Sequence, residues 1–266
     1  MGVKKKIYFF SEQKTDGSKS MSDVLGGKGA NIAEMCRLGV PVPPGFTIST
    51  EECQSFLKKQ DLGSNLKRDI KKNIGVLETL TKKSFGGNNP LLLSVRSGAK
   101  ASMPGMMETV LNVGLTSKTT KDLIKISKND RFVYDSYRRL IMMYADVVME
   151  KGLGLGEGVG IREKMEFLLQ KTKERKNYSS DSDVSAEDWK ALIKKYLALV
   201  EKSFGVPFPD DHNEQLRGAI EAVFLSWNGK RAKEYRSFEK ISDNVGTAVN
   251  VQSMVFGNLG KGCGTG

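Results

Sequence analysis

Apolar positions along this chain follow two rhythms, and the change between them marks out its elements. Residues 7–10, 46–48, 91–95 and 110–115 are short apolar runs, and 246–256 is β-branched and close to alternating. Runs of this length and period predict strands. In the last, Val249, Val251 and Val255 fall on one face, and Asn250, Gln252 and Met254 on the other. Elsewhere apolar residues recur at intervals of three and four, beginning with Ile32, Met35 and Cys36. The clearest case is 132–151, where Val133, Tyr137, Leu140, Ile141, Tyr144, Val147 and Val148 keep a helical period. That pattern predicts a core helix whose charged outer face carries Arg138 and Arg139. Further helices are predicted over 64–85 and 163–176. Another follows Ser185, with Trp189, Leu192, Ile193, Tyr196 and Leu199 inward. A last one spans 213–228, with Ile220, Val223, Phe224 and Trp227 inward.

Punctuation residues set the boundaries. Gly39 sits where a helix C-terminal glycine belongs. The prolines of 40–46 force extended backbone. Ser49 with Glu52, three residues on, has the spacing of a capping box and predicts a helix to about Gln60. Ser185 caps with Asp188, after a Ser/Asp-rich loop at 179–185, and 204–209 is a Pro-bounded turn. Strands near both ends and helices between them predict an α+β fold. The predicted segments are 1–115, a helical subdomain at 116–240, and a returning strand with a Gly-rich loop at 241–266.

Composition narrows the class. The chain has 266 residues, 39% of them hydrophobic, and a formal net charge of +11. That length allows one large domain or two small ones. The positive balance suits an anionic partner, nucleotide or nucleic acid. Its lysines are scattered, and no aromatic residues interleave with a basic strand face, so nucleic acid is not expected. Cys36, Cys53 and Cys263 have no metal-ligand spacing, and an odd count suggests a reducing compartment. No run is long enough to span a bilayer. The expectation is a cytoplasmic protein without a membrane partner. His212, the one histidine, lies in a polar turn and predicts a solvated side chain. It cannot build a histidine metal cluster.

Two stretches carry candidate chemistry. The run at 91–95 stops at Arg96, and a loop of small, polar, Gly and Pro residues follows to Thr109. Arginine presents a fixed fork of donors to phosphate oxygens, and backbone amides of such a loop can cup the same oxygens. By itself, an arginine at a strand end more often pairs with a surface carboxylate. The second stretch, Gly26-Gly27-Lys28-Gly29, puts a lysine and backbone donors at a helix start. It is not a Walker A loop, because the spacing and the Ser/Thr after lysine are missing.

The whole string Val95-Arg96-Ser97-Gly98-Ala99, continued by Ser102-Met103-Pro104-Gly105-Met106-Met107, resembles the phosphate-loop region of the pyruvate, phosphate dikinases. So do Gly26-Gly27-Lys28-Gly29, the Gly-Val-Pro-Val-Pro-Pro-Gly-Phe passage to Phe46, the block 132–139, and the passage 229–236. The likeness runs with gaps over nearly all of the chain. It implies an ATP-grasp-like nucleotide-binding region, incomplete at its C-terminal end, with a helix-rich insertion. It implies ATP and Mg²⁺ as ligands. Lys28, Arg96, Ser102, Gly105 and Thr109 are the implied phosphate contacts, and Gln252 lies toward the adenine.

In the full family enzyme, the resemblance implies, ATP is split to AMP and its outer phosphates pass to a carrier histidine. One then goes to inorganic phosphate and the other to pyruvate, giving diphosphate and phosphoenolpyruvate. The carrier domain, the pyruvate-handling barrel and the carboxylates for Mg²⁺ are expected beyond Gly266. The 266 residues alone are therefore expected to be inactive in the full reaction and to hold no metal. The full-length protein is expected to form homo-oligomers. Local departures are Glu108, where aspartate is usual, and Lys261 and Cys263 in a loop that usually holds Asp and Ser. A truncated, non-catalytic nucleotide-binding module is the alternative. The mechanism rests on Lys28 and Arg96 converging on one triphosphate.

Overall fold

The computed structural model describes residues 5–101, 103–156, 158–260 and 262–263. Five strands and a set of helices form in them. Contacts divide the chain into two interleaved units. The first takes in the described residues of Met1–Lys83, with Leu93–Thr109 and Ile220–Met254. The second takes in Ser84–Leu92, Val110–Ala219 and the described residues of Val255–Gly266. The predicted segments 1–115, 116–240 and 241–266 cut the chain differently. Residues 84–92 group with the second unit, and 220–240 with the first.

In the first unit, β1 (Ile7–Phe10), β2 (Gly45–Ile48), β3 (Leu93–Gly98) and β5 (Ala248–Ser253) lie in the sheet order β1-β2-β5-β3. β1 with β2, β2 with β5 and β5 with β3 all pair antiparallel, with Phe46 opposite Val251 and Val95 opposite Val251 on its other side. Apolar runs buried on both faces explain why these strands lack clean alternation. Every residue of β2 and β5 is buried. Helices α1 (Ser22–Arg37), α2 (Thr50–Lys59) and α3 (Ser64–Thr81) fall where the 3.6 period put them, and Gly39 takes a positive φ of 77° after α1. α3 stops at Thr81, short of the predicted 85, where Lys82 turns left-handed. The capping box at Ser49 does not form. Glu52 N–H bonds instead to the Ser49 main-chain oxygen at 3.1 Å, and its carboxylate pairs with Lys6 at 3.0 Å. The Ser49 hydroxyl is buried without a partner among the described residues.

The second unit contains β4 from Val110 onward (Thr109–Val113 in full) and helices α4 (Ser117–Ser127), α5 (Asp130–Tyr144), α6 (Ile161–Lys176) and α7 (Ala186–Phe204). The predicted helix over 132–151 widens into a π-helix at Ala145–Gly152, around a buried Asp146 that binds Lys151 and Arg162 at 3.1 and 3.0 Å. Ser185 caps α7, accepting from Asp188 N–H at 3.1 Å. Helix α5 packs on α7 through the predicted stripes, although Leu199 is only half-buried. Helix α8 (His212–Ser226) passes from the second unit to the first at Ile220, and α9 (Lys230–Phe238) follows in the first.

Two polar side chains depart from expectation. His212 is not simply solvated. Its ring stands edge-on to Phe85, centroids 4.9 Å apart, in space that Gly86 leaves open, since a Cβ there would come 2.3 Å from the imidazole. Arg138, expected on a charged outer face, is 3% exposed. Asp135 and Asp181 neutralise it at 2.8 and 2.6 Å, and its guanidinium lies 4.4 Å from the centre of the Trp189 ring. Arginine's planar, weakly hydrated head suits burial between carboxylates and an aromatic face. No helix among the described residues is long and apolar enough to cross a membrane.

Removing one partner of a buried ion pair strands the other charge. Arg138→Ala therefore lowers the unfolding free energy by about 3–5 kcal/mol. Its neighbour Arg139 also binds Asp135, at 3.2 Å, but its side chain is 49% exposed, so Arg139→Ala costs under about 1 kcal/mol. Urea denaturation of the two variants side by side checks this. Equal losses would refute the assignment of Arg138 as the buried member.

Candidate functional site

The candidate site lies within the first unit, where the end of β3 meets the start of α1. Side chains alternate along β3, so Leu93, Val95 and Ser97 are buried while Arg96 projects outward and is exposed. Arg96 lies opposite Asn250 of β5. Helix α1 is broken at Gly26, which takes φ 65° and ψ 171°, and resumes at once with Gly27 and Lys28. That break lets two backbones meet. A Cβ on Gly26 would stand 1.4 Å from the carbonyl oxygen of Gly98. Gly27 N–H donates to Ala99 C=O at 2.9 Å. One of the amides expected to be free for an anion is thus already taken by the loop.

Asn250 sits beneath the crossing. It is 1% exposed, and its Oδ1 accepts from the Thr47 hydroxyl at 2.8 Å. A Cβ on Gly29 would press on that oxygen at 3.0 Å, and one on Gly98 would come 2.6 Å from Asn250 Nδ2. Nδ2 itself is buried with no partner among the described residues. Two further bonds pin the ends. Gly98 N–H donates to the Thr247 hydroxyl at 3.2 Å, and the Thr50 hydroxyl donates to the Asp23 carbonyl at 2.7 Å.

A cavity of about 450 Å³ opens beside the crossing. Lys28 and Asn31, one helical turn apart, line it from α1. Ser97, Met103, Gly105 and Met107 line it from β3 and the loop. Gly105 turns left-handed at φ 73°, and Met106 N–H donates to Met103 C=O at 3.1 Å. Burial, and then the nearby Arg96 guanidinium, hold the Lys28 ammonium below its usual pKa. Neither Lys28 nor Arg96 has a carboxylate partner among the described residues, whereas Lys100 is neutralised by Asp23 at 2.5 Å.

The sequence-predicted residues divide as follows. Lys28 and Gly105 line the cavity; Arg96 is not among the lining residues, but its charge reaches Lys28. Thr109 begins β4 and is not among the lining residues. Ser102 lies outside the described residues. Gln252 is buried in β5, and its amide donates to the Pro43 carbonyl at 2.9 Å. Asn31, Ser97 and Asn250 were missed. The signal for Asn250 was an amide set between two valines of a buried strand, and for Asn31 its place three residues after Lys28. Among the described residues no group of three His, Cys, Asp or Glu side chains gathers to hold a metal.

Residues 22–86 and 63–266 match the family described as pyruvate phosphate dikinase, AMP/ATP-binding domain. The chain is 48% identical over 262 residues to pyruvate, phosphate dikinase of Rhizobium meliloti, covering 98% of this chain and 28% of that protein. It is 44% identical to pyruvate, phosphate dikinase of Clostridium symbiosum, with 98% and 29% covered. Against the chloroplastic pyruvate, phosphate dikinase 1 of Oryza sativa the identity is 46%, with 99% and 27% covered. The chain thus spans just over a quarter of the length of these relatives.

The crossing generates a contrast between two left-handed glycines. Gly26→Ala drives a Cβ into backbone that cannot move aside, and lowers stability by about 3 kcal/mol or more. Gly105 has nothing within 4 Å of its Cβ position, so Gly105→Ala costs only the left-handed backbone term of about 1–2 kcal/mol. Denaturant midpoints of both variants measure the difference. A Gly26→Ala protein as stable as Gly105→Ala would contradict the close approach.

Proposed function

The chain belongs to the pyruvate phosphate dikinase AMP/ATP-binding domain family, and from that premise we propose that its first unit binds the phosphates of ATP between α1 and the loop after β3. The observation that carries this is a pair of cations from separate segments, Lys28 lining the cavity and Arg96 near enough to help lower its pKa, neither with a carboxylate partner among the described residues. Like charges repel, and an anion bound beside them relieves that repulsion. Lys28 and Arg96 neutralise phosphate oxygens. Gly105 lets the loop backbone come close, and Thr109 and Ser102 are proposed as hydroxyl donors. Asn31 is added as an amide donor facing the same space. Gln252 is proposed on the adenine side, its own amide N–H₂ already engaged by Pro43.

Phosphoryl transfer asks a protein for positioning and charge neutralisation more than for covalent help. This chain's share is to fix the triphosphate and hold its charge. Mg²⁺ carried in with the nucleotide would supply further neutralisation of phosphate charge. The carboxylates that hold the ion are proposed to lie in the remainder of the full-length protein. The whole-protein reaction we propose is that of the relatives' name, run through a phosphohistidine carrier to phosphate and pyruvate, with the carrier domain and a second full-length copy as partners. A reducing compartment such as the cytoplasm is inferred from the free thiols Cys36, Cys53 and Cys263.

Arg96→Ala removes a charge-assisted contact and weakens Mg·ATP binding about ten- to a hundredfold, read by calorimetry. An unchanged affinity sinks the assignment. The lowered pKa of Lys28 gives a second outcome. A bound triphosphate holds the Lys28 proton on, so affinity falls as pH rises through the free-state pKa. That fall begins below the 10.5 of an ordinary lysine. Lys28→Arg keeps its charge throughout this range and loses that part of the alkaline decline. Identical pH profiles for both proteins would remove Lys28 from the site.

A further inference from the structure

A second and larger cavity, about 790 Å³, lies in the first unit between β1 with the segment after it and one face of α3. It shares no lining residue with the candidate phosphate site. On the α3 side Asn65, Arg68, Lys72, Val76 and Leu80 line it. A helical run of that length is about 22 Å long. The opposite wall brings Lys5, Lys6 and Lys14, over the buried side chains of Ile7 and Phe9. Among the lining residues, the five cations face two carboxylates, Asp16 and Asp69. Asp16 is taken by Lys5 at 2.9 Å, and Lys6 is turned to Glu52. Asp69 meets Arg68 only loosely, at 3.6 Å with both side chains open to water. Lys14 and Lys72 are exposed and have no ion pair among the described residues. The groove is therefore long, cationic and floored with aliphatic and aromatic carbon.

That combination selects among anions. A free phosphate could meet the first turn of α3 at Asn65, but it has no use for Phe9, Val76 and Leu80. A nucleic-acid strand needs exposed rings to stack on, and Phe9 is buried. An extended peptide uses both properties at once, because its side chains alternate between two faces. We propose that this groove docks an acidic, extended peptide segment of about seven residues, the length that spans about 22 Å. Its carboxylates meet Lys14, Lys72 and Arg68, and its apolar side chains settle against Val76 and Leu80.

The test is fluorescence anisotropy of the full 266-residue chain with a labelled peptide of alternating glutamate and leucine. Lys14→Glu with Lys72→Glu should raise Kd about tenfold or more. Lys58→Glu with Lys71→Glu makes the same change of charge on exposed lysines outside the groove and should leave Kd nearly unchanged. Val76→Asp, at a side chain already 40% exposed, tests the apolar half without touching a cation and should weaken binding as well. Arg96→Ala should not. Equal weakening by both lysine doubles would reduce the effect to general attraction and overturn the proposal. So would no binding to the unmodified chain, or complete displacement of the peptide by inorganic phosphate alone.

Discussion

The contact on which the first unit depends is a crossing of two backbones with nothing between them. A side chain on Gly26 would strike the Gly98 backbone, and one on Gly98 would press on Asn250 Nδ2. The consequence is positional. Arg96 is two residues before one glycine, and Lys28 two residues after the other. Fixing the crossing fixes both cations at once, and the Gly27–Ala99 hydrogen bond locks the register between strand end and helix start. Preorganisation of this kind matters for a site built on charge, because donors already in place need no rearrangement when an anion arrives.

Asn250 explains how such a crossing survives inside a protein. A fully buried amide in a valine-rich strand costs free energy unless its polar atoms are used, on the order of 1–3 kcal/mol for each one left unmet. Thr47 satisfies its oxygen. Its nitrogen stays unmet because Gly98 occupies the adjoining space. A valine at this position would fit the strand but would leave the Thr47 hydroxyl without its acceptor. The amide acts as a polar post between β2, β5, the end of β3 and the glycine turn of α1.

Much of this fold was legible in the sequence because periodicity reports burial directly. The strands at Ile7–Phe10 and Gly45–Ile48 and the helices through Ile32 and Trp189 follow from spacing alone. Periodicity reports which face is inward, but not which polar groups follow it there. Arg138 has the spacing of an outer-face residue only while Asp181, 43 residues away, is unseen. The Ser49 box fails for the same reason, since Lys6 claims the Glu52 carboxylate from a distant strand end. Lys28 and Gly105, which line the cavity, were singled out by local motifs. Asn250 was not, because its partners Thr47, Gly29 and Gly98 come from three other segments.

The treatment of charge across the chain bears on why Lys28 and Arg96 stand apart. Each unit buries one arginine against a tryptophan: Arg138 over Trp189, with Asp135 and Asp181, and Arg236 over Trp227, with Asp243. Those guanidiniums are fully engaged and hold structure together. Lys100, in the loop after β3, is neutralised by Asp23. In a chain of net charge +11 carboxylates are the scarcer partner, so a bare exposed lysine is ordinary. Two bare cations forced together are not, because their repulsion opposes the fold that holds them. Separating them would cost the fold little, since one turn of a side chain would suffice if the backbone allowed it. The glycine crossing holds the segments that carry them together, and on the proposed function an anion bound there would turn that repulsion into an attraction.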